Sequence, residues 1–175
     1  DHAREAGRVD NATRSSWTDK EVMYLRRAAL YAQRDYRVDE SMRLWLRLAS
    51  LLEAGAKARA LVQAAVQARN AGRAQRAQAI FMEAVALADV GNVPETLGLA
   101  YGGLGSIYME TGRAEMALDA HEKALAHYVA SGNTRMAAVV HGDLGNVHRE
   151  YGHPDQAERE FNIALETFRK LGDEG

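Results

Sequence analysis

Apolar and small residues recur along this chain three and four positions apart, the spacing that gathers them on one side of a helix. Val22, Leu25, Ala28, Ala29 and Ala32 form such a stripe, ending near Arg34, and Ala64, Ala65, Ala68, Ala77, Phe81 and Ala84 form the next. No strand-like alternation is apparent, so the reading is all-helical. After residue 94 the stripe becomes a repeat. Residues 104–125, LGSIYMETGRAEMALDAHEKAL, return 40 residues later as residues 144–165, LGNVHREYGHPDQAEREFNIAL. Each copy runs Leu-Gly, a ring (Tyr108, His148), a turn glycine (Gly112, Gly152), an alanine (Ala117, Ala157), a second ring (His121, Phe161) and Ala-Leu.

Each slot has a mechanical reason. Gly105 and Gly145 fall inside helices, where glycine costs about 1 kcal/mol relative to alanine, and close approach of a second helix offsets that cost. With Ala117 or Ala157 opposite, two antiparallel helices can pack with little bulk between them while the rings fill the remaining space. Gly112 and Gly152 suit the left-handed residue that ends a helix and begins a tight turn. Each unit is therefore a helical hairpin, and hairpins of this size must stack on neighbours to bury their apolar faces.

This order of residues resembles the tetratricopeptide repeat. The usual period is about 34 residues; the longer one here resembles the subclass in Pins/LGN-type scaffolds, kinesin light chains and bacterial signalling regulators. The resemblance implies an all-α superhelical solenoid of about eight helices in four antiparallel hairpins, with repeats near 18–55, 57–91, 94–132 and 134–172. The first repeat is divergent. Thr18 with Glu21 reads as a capping box opening its first helix, Tyr36 stands where the turn glycine should be, and 38–53 read as its second helix, with Ser41, Trp45 and Leu48 facing inward. Residues 1–17 are read as a leader or as the tail of a preceding helix. Gly91-Asn92-Val93-Pro94 is the clearest punctuation, glycine ending one helix and proline opening the next.

Composition narrows the function. A formal charge of -2 and a pI near 6.3 provide no global basic field, which argues against nucleic acid as partner. The absence of cysteine removes thiol chemistry and zinc–thiolate sites, and the spacing of the six histidines does not gather a metal site. No nucleophile–base pair or phosphate-cradling loop stands out, so neither an enzyme nor a cofactor is expected. No apolar run is long enough to span a membrane, and the cytoplasm is the expected location. The chain begins at Asp1 without methionine, which reads as a piece of a longer protein.

In the resembled family, the first helix of each hairpin lines a concave face that holds a peptide or protein segment. Carried onto this sequence, that implies a groove of Arg26 and Arg34 in the first repeat, and Arg59, Val62, Val66, Arg69 and Asn70 in the second. Ser106, Met109 and Glu110 follow in the third, and Asn146, Arg149 and Glu150 in the fourth, beside Gly102 and Gly142. Of the asparagines that grip peptide backbone in long-repeat relatives, Asn146 alone matches. Arginines concentrate toward the N-terminal half, so the expected ligand is acidic with apolar anchors meeting Val62, Val66 and Met109, while Met116 is assigned to a helix–helix seam. The expected function is a protein-interaction module, part of a larger bacterial signalling or scaffold protein. A peptide-sensing regulator and a self-assembling scaffold are the alternatives, the latter because no helix follows to cover Phe161, Ile163, Leu165 and Phe168.

Overall fold

The computed structural model describes the backbone of residues 2–172 and the side chains of residues 18–172. Within the described residues eight helices follow one another: α1 (His2–Arg34), α2 (Val38–Ala49), α3 (Ala54–Asn70), α4 (Ala74–Val90), α5 (Pro94–Glu110), α6 (Ala114–Ala130), α7 (Thr134–Glu150) and α8 (Pro154–Lys170). From α3 onward every helix has 17 residues and every connection spans three residues, which is the origin of the 40-residue period.

The connections are built alike. Past the end of α5, Arg113 donates its backbone N–H to the Tyr108 carbonyl at 2.8 Å and Gly112 donates to Met109 at 3.0 Å, with Gly112 left-handed at φ 71°. This pair of bonds satisfies carbonyls that the helix end leaves without partners. The same long bond recurs as Arg73 to Ala68, Asn133 to Tyr128 and His153 to His148. After α4 the left-handed residue is Asn92 (φ 47°), while Gly91 stays right-handed. Gly91 is small for another reason: a Cβ there would stand 2.9 Å from the backbone nitrogen of Gly55. Tyr36 takes the left-handed position after α1, at φ 56°.

Glycine and ring meet directly across the hairpins. A Cβ on Gly105 would lie 2.6 Å from His121, and one on Gly145 equally close to Phe161. The rings, not Ala117 and Ala157, are thus the immediate neighbours of the mid-helix glycines. Between hairpins, Phe81 of α4 presses on Gly103 of α5 in the same manner. The core is continuous through the first three hairpins and rich in alanine, with Ala29, Ala64, Ala65, Ala68, Ala84, Ala100 and Ala117 all fully buried.

Two expectations for the first hairpin are corrected. Helix α1 begins at His2 and passes through Thr18 without a break, so Thr18 and Glu21 do not cap a helix start. Helix α2 stops at Ala49, short of residue 53, because Leu51 and Leu52 turn back through bonds to Leu48 and Ala49 and Ala54 adopts a left-handed φ of 44°. Ser41, Trp45 and Leu48 are buried as expected, and the Ser41 hydroxyl donates to the Ala29 carbonyl at 3.0 Å, tying α2 to α1.

Successive helices make nearly all the tertiary contacts. Beyond these, α3 touches α5 and α5 touches α7, whereas α4, α6 and α8 make no comparable contact with one another. The odd-numbered helices therefore lie on the inside of the curve.

Candidate functional site

The inner surface is a set of rows in which residues 40 positions apart lie side by side. Arg59, Leu99 and Val139 are exposed along one row, and Asn70, Glu110 and Glu150 along another. Between them run Val66, Ser106 and Asn146, all half-buried. Gly102 and Gly142 occupy a further row, and a Cβ added to either would have no neighbour within 4 Å. Unlike Gly105 and Gly145, these glycines open the surface without serving any packing in the chain.

Charges on this surface are partly spoken for. Arg69 of α3 faces Glu110 of α5 at 3.9 Å, a link between adjacent inner helices. Arg69 also offsets the effect of burial on Asp143 of α7, whose carboxyl is pushed above its ordinary pKa by desolvation. Arg149 donates to Asn146 at 3.0 Å and lies over the Phe161 ring. Arg26, Arg34 and Arg59 have no ion-pair or hydrogen-bond partner among the described residues, and all three are exposed.

The deeper titratable groups belong to packing. His121 is 1% exposed, and burial lowers its pKa to about 4, so the ring is neutral at pH 7. Tyr128 is raised to about 12, first by burial and then by the charges of Glu95 and Asp143. His141 and Glu160 meet at 2.6 Å across α7 and α8. Among the described residues no three His, Asp or Glu side chains gather as a metal site, and no helix is long and apolar enough to cross a membrane.

Residues 95–170 match the sequence profile of the tetratricopeptide repeat. The hairpins α5–α6 and α7–α8 are tetratricopeptide repeats. The crystal structure of MamA superposes with a TM-score of 0.68 at 20% identity, over 86% of this chain and 80% of MamA. BtubC (BKLC) from P. vanneervenii gives a TM-score of 0.59 at 21% identity, over 89% of this chain, which spans 59% of that protein. At such identities the likeness is one of fold. No curated protein matches the chain.

Along the helical array, the residues expected in the groove separate into three groups. Arg26, Arg34, Arg59, Asn70, Glu110, Arg149 and Glu150 are exposed, and Val66, Arg69, Ser106 and Asn146 are half-buried in the rows already described. Val62 is 2% exposed and belongs to the core, so it presents no anchoring surface. Of the two methionines, only Met116 departs from expectation. Met109 is half-buried and packs against the core, whereas Met116 is 45% exposed. Sequence reasoning also passed over the Trp45 region as a surface feature, because the tryptophan fills the ring slot of its repeat and reads as core.

Proposed function

We propose that this chain is a protein-interaction module that holds an extended peptide or protein segment along its inner face. Tetratricopeptide repeats are in general non-catalytic modules of this kind, and the row of Gly102 and Gly142 carries the reading for this chain. A helical glycine with nothing to approach costs stability, and two of them in register leave a trough along the inner face where no side chain stands. Half-buried Ser106 and Asn146 stand beside the trough with polar groups suited to main-chain amides. The test is selection from a peptide library on the intact chain, followed by the same measurement on Gly142→Trp. A Cβ at 142 has no neighbour within 4 Å, so that substitution grows into the trough from an open position, and it should abolish binding without lowering the melting temperature. Undiminished binding would move the site elsewhere.

Observations at the two ends support a second reading, self-association. Tyr24 of α1 is 70% exposed where its counterparts Ala60, Ala100 and Val140 are buried. At the other end Phe161 is half-buried where Phe81 and His121 are buried completely. An outer helix of one copy could stack against α1 of the next. Light scattering over a concentration series decides it, because a chain that stays monomeric at high concentration excludes this arrangement.

A further inference from the structure

The inner helices do not close evenly. Helix α3 packs directly on α5, but α1 stands off from α3, and a cavity of about 300 Å³ opens between them. Leu30 of α1 and Leu99 of α5 form its apolar rim, Trp45 and Leu48 of the short α2 line it more deeply, and Arg26 and Arg59 stand on either side. Its volume is at the low end of the roughly 300–1,000 Å³ range of small-ligand sites, which suits one large side chain.

Three features distinguish this cavity from an ordinary surface dimple. Leu30 and Leu99 are 49% and 39% exposed, two large aliphatic groups from different hairpins meeting at one opening. Both arginines lack partners among the described residues, while Arg37, Arg47, Arg69 and Arg73 each face a carboxylate. Among the described residues no carboxylate lines the cavity, so its charge is uncompensated. Trp45 is 5% exposed, and its indole N–H is buried without an acceptor among the described residues. With that nitrogen out of reach, Trp45 meets the cavity through the apolar part of its ring.

We infer that this cavity is an anchor site for one large apolar side chain of an acidic peptide segment, with Arg26 and Arg59 holding carboxylates on either side of the anchor. The inference rests on the concave-face reading and specifies its N-terminal end. Guanidinium groups favour carboxylates through charge-assisted, often paired hydrogen bonds, and a central apolar pocket ringed by polar contacts is the arrangement in which binding energy concentrates.

The experiment uses the intact chain and three labelled synthetic peptides: a central leucine flanked by glutamates and aspartates, the same acidic peptide with alanine at the centre, and the leucine flanked by lysines. Fluorescence anisotropy reads the affinity, and the Trp45 indole ¹H–¹⁵N resonance, assigned with Trp17→Phe, reports entry into the cavity. The acidic leucine peptide should bind at least tenfold tighter than either control, shift the Trp45 resonance and weaken with salt. Arg26→Ala and Arg59→Ala should each weaken it severalfold. Leu30→Trp, or Leu99→Trp from the opposite rim should Leu30→Trp not fold, should fill the cavity and abolish the leucine preference. Equal binding of the leucine and alanine peptides, or no binding of the leucine peptide, overturns the inference. Binding that is lost in Gly142→Trp but indifferent to Leu30→Trp overturns the anchor and leaves the concave face as the site. A leucine preference that survives Gly142→Trp upholds the anchor and removes the trough from the binding surface.

Discussion

The ring of Phe161 lies so close to Gly145 that a Cβ on the glycine would stand 2.6 Å from it. Three residues earlier, Gly142 has no such neighbour. The two positions should therefore respond to one methyl group with opposite sign. Gly145→Ala crowds a ring held between α7 and α8 and should destabilise by about 1–3 kcal/mol, the usual range for overpacking. Gly142→Ala gains helix propensity and should stabilise by up to about 1 kcal/mol. Urea denaturation of both variants beside the parent checks the pair, and equal shifts would contradict the seam.

His121 makes stability depend on pH. The unfolded chain takes up its proton near pH 6.5 and the folded chain only near 4, because burial disfavours the charged ring. Its contribution is complete above about pH 6.5, falls as pH drops through that interval, and levels off below about 4; the gap corresponds to about 3 kcal/mol. Asp143 works in the other direction, since its raised carboxyl pKa favours the folded state as pH falls. His121→Phe places at this slot the ring that Phe161 supplies one repeat later, and should flatten the profile between pH 6.5 and 4. Denaturant midpoints across that range test it, and an unaltered slope would assign the effect to other groups.

Arg59 and Arg69 are both arginines of α3, yet reversing them should do different things. Arg59 touches no charged group among the described residues, so Arg59→Glu should leave stability within about 0.5 kcal/mol while repelling an acidic ligand. Arg69 holds Glu110 and moderates Asp143. Arg69→Glu should raise the Asp143 pKa further, which NMR titration of that carboxyl would show. A common effect of both changes on stability would mean that the link from Arg69 to Glu110 contributes nothing, as exposed pairs sometimes do.

Tyr36 is a left-handed residue with its side chain 89% exposed. Glycine adopts this conformation without the steric conflict that costs other residues roughly 1–2 kcal/mol. Tyr36→Gly should stabilise the first hairpin by about 1 kcal/mol, and Gly112→Ala should cost the third a similar amount. Thermal melts of the two variants provide the comparison.

The architecture was legible because its causes are local and repeated. Turn glycines at 112 and 152 and rings at 121 and 161 each act within a hairpin, and the repeat displays them twice, while prolines at 94 and 154 mark the starts of α5 and α8. What escaped notice depends on longer range. Thr18 and Glu21 carry the chemistry of a helix start, but a helix already running from His2 overrides it. Val62 shares a row with two open glycines, and its burial follows from how neighbouring hairpins meet, which no single repeat encodes. Met116 is exposed where a seam was expected for the same reason. The cavity beside Trp45 lies next to the end of α2 at Ala49, a boundary set by the backbone of residues 50–54.

Contacts between successive helices also determine how the molecule would carry a mechanical load. Among the described residues the first hairpin makes no comparable contact with the last, so tension applied at the two ends is borne in series, hairpin after hairpin. The least stable hairpin would yield while the others remain folded. Under a slowly rising pull the chain should lengthen in discrete steps of one hairpin each, with no single rupture of the whole.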